Sequence, residues 1–198
     1  MNIAMKKEVM KFYDMLSNSY DELYGEEQIN KYLTILKECN LSGNIGDMGC
    51  GTCLLAEQIV KLGYNIKWYV GLDISEGMIK VAKRRISRMV NTDLVVGDIE
   101  NLPFRNDAFN VVLTITSLQN VPSIKDALSE LNRVTRKGLI VSLLKVARNS
   151  GEAIERLMKT FLLRKIIIME KDIALLLYKP SAKRILITVS NTPKKRNP

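Results

Sequence analysis

The stretch Gly46-Asp47-Met48-Gly49-Cys50-Gly51-Thr52-Cys53 constrains the fold of this chain more than any other. An acid closes a short apolar run, two glycines follow one residue apart, and a helical pattern starts at once at Leu54. Glycine permits a tight turn and close approach of the backbone, and a helix N-terminus offers free N–H groups. A strand, such a loop and a helix in succession bring backbone against a nucleotide-like ligand.

The flanking sequence alternates as that reading requires. Two helices precede the loop, Lys6 to Leu16 and Tyr20 to about Glu38, the second carrying Leu23, Ile29, Tyr32, Leu33 and Leu36 inward. Ile45 to Met48 is a strand, and Leu54 to Leu62 a helix stopped by Gly63. Trp68 to Leu72 is a strand ending at Asp73, and Ser75 caps a helix running to about Val90. Leu94 to Gly97 ends at Asp98. Phe109 to Thr116 is nearly all apolar, as when both faces of a strand are covered. Ser123, with Asp126 three residues on, caps the next helix; Leu139 to Leu144 and a helix from Ser150 to about Leu163 come after it. Residues 165–179 hold two β-rich runs too close for a crossover helix, so they form an antiparallel hairpin at the sheet edge. Arg184 to Val189 reads as one further strand before a basic tail.

The expected fold is α/β: a doubly wound, mostly parallel seven-stranded sheet with an antiparallel C-terminal hairpin and an N-terminal helical cap. At 198 residues it is read as one domain, with cap 1–42, core 43–179 and basic extension 180–198. Thirty Lys and Arg against twenty-one Asp and Glu give +9, which favours anionic partners such as RNA or acidic metabolites. No apolar run reaches the ~18 residues of a membrane span, and no signal-length apolar core opens the chain. With three cysteines, Cys39, Cys50 and Cys53, a reduced cytoplasmic location is expected. The Cys50-x-x-Cys53 pair lacks a second Cys or His pair, so neither a zinc site nor a redox motif is expected. Histidine is absent altogether, which removes the commonest general base and the commonest zinc ligand.

In a doubly wound sheet, ligands bind beyond the carboxyl ends of the strands. Asp47, Asp73 and Asp98 fall at three successive strand ends. A dinucleotide loop needs a third glycine where this chain has Leu54, and an acid at Asp47 repels a pyrophosphate but suits an ammonium group. Lys80, Lys83, Arg84, Arg85 and Arg88 read as a solvated helix face pointing away from the mouth. Lys6, Lys7, Arg105, Lys125, Lys145 and Arg148 lie nearer to it.

Asp47-Met-Gly-Cys-Gly-Thr-Cys53, Gly71-Leu-Asp-Ile-Ser75, Gly97-Asp98-Ile99 with Leu102-Pro103-Phe104, and Phe109-Asn-Val-Val112 together resemble the class I S-adenosylmethionine-dependent methyltransferases. Within them the chain is most similar to the small ubiquinone-biosynthesis-like, methyltransferase-domain branch, over roughly Tyr13 to Leu144. The resemblance implies S-adenosyl-L-methionine as cofactor, S-adenosyl-L-homocysteine as product, and no metal. It implies that Asp47 and the Gly49, Cys50 and Gly51 backbone hold the amino-acid end. Asp73 accepts the ribose hydroxyls, Ile74 packs on the adenine, and Asp98 with the Ile99 N–H meets the adenine edge. Thr116 and Ser117 line the methyl-donor side, and the segment from Tyr13 to Tyr24 resembles a lid.

Three departures stand out: Cys53 replaces the usual third glycine, Asn110 replaces an aspartate, and Leu118-Gln119-Asn120-Val121 stands where many relatives carry histidines. Candidate catalytic groups are therefore Tyr13, Tyr20 and Ser117, with Asp107 or the substrate itself as an alternative base. Three functions compete. The first is methylation of a small molecule. The second is methylation of RNA, above all tRNA, with a partner protein subunit. The third is a silent cofactor-binding scaffold.

Overall fold

A computed structural model describes residues 2–180. The cap consists of α1 (Asn2–Leu16) and α2 (Tyr20–Leu36). The core runs β1 (Gly43–Met48), α3 (Leu54–Lys61), β2 (Ile66–Asp73), α4 (Glu76–Arg85), β3 (Thr92–Val96) and β4 (Phe109–Ile115). It continues with a single 3₁₀ turn (Leu118–Asn120), α5 (Ile124–Val134), β5 (Thr135–Leu144), α6 (Ser150–Thr160), β6 (Leu162–Ile168) and β7 (Asp172–Tyr178).

The sheet order is β3-β2-β1-β4-β5-β7-β6. β1 pairs in parallel with both β2 and β4, while β7 lies antiparallel between β5 and β6. The expected fold and terminal hairpin are therefore present. The chain steps outward from β1 to β3, then returns to place β4 on the other side of β1. That reversal opens a crevice beyond the ends of β1 and β4.

Alternating side chains supply two cores. Val112, Leu139, Val141, Leu175 and Leu177 meet α5 and α6 on one face. Ile45, Tyr69, Leu113, Ile140 and Leu176 meet α2, α3 and α4 on the other. The caps of α4 and α5 form as expected: Ser75 Oγ accepts from Met78 N at 3.0 Å, and Ser123 Oγ from Asp126 N at 3.3 Å.

Several expectations shift. α4 stops at Arg85, where Met89 N bonds back to Ile86 O (2.8 Å) in a turn, and the chain then passes through Asn91 (φ +55) into β3. α6 stops at Thr160, because β6 already pairs with β7 from Leu162. Leu23, expected inward, is 61% exposed; α2 buries Tyr32 and Leu36 as expected, and with them Gly25, Gln28, Lys31 and Ile35. The strand expected at Arg184 to Val189 lies outside the described residues.

α1 is strapped across α4. Asp14 Oδ1 accepts from Ser75 Oγ at 2.6 Å and from Gly77 N at 2.9 Å. Gly77 allows the approach, since a Cβ there would stand 3.0 Å from Asp14 Cα. Of the basic residues on α4 and just after it, Arg85 is no free surface charge. It pairs with Asp21 of α2 and Glu57 of α3, and donates to Thr52 O at 2.8 Å.

Candidate cofactor site

The crevice holds about 860 Å³ of space, part of it open to solvent. Gly49 N and Cys50 N both donate to Leu72 O, at 2.7 and 3.0 Å, which folds the β1–α3 loop over the end of β2. Gly49 has φ +85, and a Cβ there would fall 2.2 Å from Ser117 Oγ. The loop after β1 and the turn after β4 thus touch through a glycine. Gly49→Ala is expected to cost about 2–4 kcal/mol of stability, read by thermal unfolding, because strain and overlap coincide. Gly51 (φ +53) also faces the crevice, and a Cβ there would meet no atom within 4 Å. Cys53, where the resemblance implies a glycine, has a left-handed backbone (φ +60) with its thiol fully buried.

Of the expected cofactor residues, Gly49, Cys50, Gly51, Asp73, Ile74, Asp98, Ile99 and Thr116 line the crevice together. Asp73 Oδ2 accepts from Gly51 N at 2.8 Å and Oδ1 from Ser75 N at 2.9 Å, leaving each oxygen a further lone pair. Burial raises the Asp73 carboxyl, against which the backbone N–H groups pull down. Asp98 is engaged by Lys6 of α1 at 2.6 Å, and Lys6 also meets Glu100. Lys6 is the only expected mouth-side cation in the lining; Lys7, Arg105, Lys125, Lys145 and Arg148 are not part of it.

Asp47 does not line the crevice. It shares the parity of Ile45 along β1, so its side chain enters the core beneath α2 and α3, 2% exposed, and accepts a hydrogen bond from Tyr69. Burial pushes its carboxyl from 3.8 up to about 7 despite that bond. Between those values the folded chain holds a proton that the unfolded chain has released. The stability due to this group is therefore full below about pH 4 and lost as pH rises through about 7. Asp47→Asn is expected to match the native protein near pH 4 and to exceed it by roughly 2–4 kcal/mol at pH 8 in urea unfolding.

Tyr13, Tyr20 and Ser117 also line the crevice. Burial raises both tyrosine hydroxyls, so neither ionises near neutrality. Tyr13 OH accepts from Asn120 Nδ2 at 2.9 Å, tying α1 to the turn after β4. Ser117 Oγ lies 3.3 Å from Gly49 O and 3.2 Å from Ile115 O, two carbonyls that share its single proton. Asp107 is remote: it precedes β4 at the opposite end of the sheet and pairs with Lys179. Asn110 is equally distant, its Oδ1 accepting from Asn44 N at 2.9 Å where β1 begins.

Sequence reasoning missed a buried cluster behind Thr116. Lys31 Nζ donates to Thr116 Oγ1 at 2.8 Å and pairs with Asp172 at 2.9 Å, while Ser142 Oγ donates to Asp172 at 3.0 Å. Its faint signal was a lysine beside Tyr32 on the inner face of α2 and a lone serine within the apolar run of β5.

Residues 46–143 match the family described as "Methyltransferase domain". The demethylmenaquinone methyltransferase of Staphylococcus saprophyticus is 31% identical over 166 residues, covering 81% of this chain and 71% of that protein. The chain belongs to the class I S-adenosylmethionine-dependent methyltransferases.

The Staphylococcus haemolyticus demethylmenaquinone methyltransferase is 28% identical, covering 81% of this methyltransferase and 70% of its own length. Among solved structures, magnesium protoporphyrin IX methyltransferase from Synechocystis PCC 6803 with bound SAM superposes at TM-score 0.71 with 14% identity, covering 89% of this chain and 97% of that one. The structure described as "DhpI-SAH complex structure" reaches 0.76 with 15% identity, covering 90% and 98%. The cofactor of the methyltransferase is S-adenosylmethionine, and the lining fits it. Two carboxylates suit hydroxyls and an amine, Leu72, Ile74, Met78 and Ile99 supply apolar walls, and Gly51 leaves open space beside backbone. Among the described residues, no group of His, Cys, Asp and Glu could hold a metal ion, and no helix is long and apolar enough to cross a membrane.

Proposed function

We propose that this methyltransferase acts on a small molecule, with a demethylmenaquinone-type hydroquinone as the acceptor to test first. The observation that carries the reading is the 31% identity to a demethylmenaquinone methyltransferase across 81% of the chain. Val9 and Tyr13 of α1 line the crevice and supply apolar surface for such an acceptor.

In this reading the chain acts as one unit. Asp73 receives the ribose hydroxyls with its remaining lone pairs. Ile74 and Ile99 pack on the adenine, and Asp98 takes the adenine amine after Lys6 yields it. The Gly49–Gly51 backbone cradles the amino-acid end, and Asp47 supports that loop from beneath through Tyr69. When bound, S-adenosylmethionine supplies a methyl group already activated by its sulfonium charge. The protein then has to align the acceptor and exclude water, which falls to Tyr13, Tyr20 and the turn after β4.

Among the described lining residues other than Asp73, which the ribose occupies in this reading, none is a ready base at neutral pH. The tyrosines are held protonated, Ser117 is engaged with carbonyls, and Asp98 is paired. A phenolic acceptor would give up its proton to solvent at the open part of the crevice as the methyl group is transferred.

The purified protein should be incubated with methyl-labelled S-adenosylmethionine and either a short-chain demethylmenaquinol or total tRNA. Label in the quinol is the expected result. Label in tRNA, lost on RNase treatment, selects the nucleic-acid reading that the net charge of +9 favours. Absence of micromolar S-adenosylmethionine binding in calorimetry overturns the site assignment.

A further inference from the structure

β4 leads into an unusual residue. Thr116 has φ +56, a left-handed backbone in which a β-branched side chain is a genuine outlier. Two of the other non-glycine residues with positive φ, Asn91 and Asp107, are of types that tolerate the region. Such strain persists only where the surroundings over-determine it.

Here they do. Thr116 N donates to Ser142 O at 3.0 Å, and Gln119 Nε2 donates to Thr116 O at 2.5 Å. Thr116 Oγ1 accepts from Lys31 Nζ at 2.8 Å and lies 3.1 Å from Asp172 Oδ1 and 3.0 Å from Ser142 Oγ. Lys31 comes from α2, Ser142 from β5 and Asp172 from β7, so three elements converge on one hydroxyl. The Lys31 and Asp172 side chains are 5% and 2% exposed. A buried ion pair is seldom more stable than well-packed apolar residues of the same volume, so holding α2 on the sheet does not require one. Apolar residues could not grip a hydroxyl from two sides.

The segment C-terminal to β4 shapes the crevice. Thr116, Ser117, Asn120, Val121 and Pro122 form one wall, and Ser117 abuts Gly49. We propose that Lys31 and Asp172 are positioning residues for the methyl-transfer end of the crevice. Their ion pair clamps Thr116 in the left-handed conformation and so sets the wall from Thr116 to Pro122 against the Gly49 loop. This rests on the crevice being the transfer site. Neither residue touches the cofactor; both act through Thr116.

Glycine separates the clamp from mere support, because it takes φ +56 without strain. Three proteins are compared by amide hydrogen exchange of residues 116–121 and by calorimetric titration with S-adenosylhomocysteine. They are the native chain, Lys31→Met/Asp172→Leu, and that pair combined with Thr116→Gly. In the double variant, exchange of the wall should accelerate about tenfold or more and affinity should fall about tenfold. Adding Thr116→Gly should restore both to within about threefold of native. Native exchange and affinity in the double variant overturn the proposal, and so does failure of glycine to rescue it.

Should the double variant not fold, Thr116→Val keeps the side-chain shape and the ion pair while removing the gripped hydroxyl. The same acceleration is expected there, and native exchange in that variant overturns the clamp. A native chain that fails to bind S-adenosylhomocysteine contradicts the cofactor site instead, while exchange of the wall still reads the clamp.

Discussion

Lys31→Met alone is expected to destabilise the protein by about 3–5 kcal/mol in urea unfolding. The loss comes less from the attraction removed than from Asp172, left as an uncompensated carboxylate in a site 2% exposed. Ser142 and Thr116 hydroxyls remain beside it, but two neutral donors do not replace an ammonium group at 2.9 Å. The companion Asp172→Leu should recover most of the deficit, since removing both charges also removes the desolvation penalty. A single variant within about 1 kcal/mol of native would place this pair among weak, solvated surface bridges, contrary to its burial.

Asp73→Ala is expected to reduce S-adenosylmethionine affinity about a hundredfold or more in calorimetry. Hydrogen bonds to a charged group contribute about 1.5–3 kcal/mol each, and the assignment gives Asp73 two ribose hydroxyls. The same carboxylate accepts from Gly51 N and Ser75 N, so the substitution should also lower stability by about 1–3 kcal/mol. Far-UV circular dichroism of the unliganded variant separates the two effects, because a retained fold with lost binding is the outcome the site predicts. Unchanged affinity contradicts the ribose role.

The residues that carried the sequence reading act locally. Gly49 and Gly51 mark a loop because a positive φ is a property of one residue, and both adopt it. Ser75 and Ser123 mark helix starts because a cap bonds within three residues. Asp73 and Asp98 mark the crevice because parallel strands all end on one side of the sheet. Asp47 obeyed the same rule for position, yet alternation along β1 turned its side chain into the core. One residue's parity separates a ligand contact from a buried carboxyl. Leu23 and Arg85 differed for a related reason. Helical periodicity says which residues share a face, but only the neighbours decide whether α2 buries Leu23 or Lys31, and whether Arg85 meets water or Asp21.

By itself, the sequence determined the order of strands and helices, the loop after β1, the strand-end acids and the terminal hairpin. These arise from periodicity, glycine conformation and capping, which span a few residues each. Only the tertiary structure decided that Lys31, Thr116, Ser142 and Asp172 meet. They lie as far as 141 positions apart in the chain and share no motif. Their contact depends on the packing of α2 against the sheet and on β7 inserting antiparallel beside β5. A single polar residue in an apolar stripe has no partner visible in sequence, because its partner is chosen by the fold.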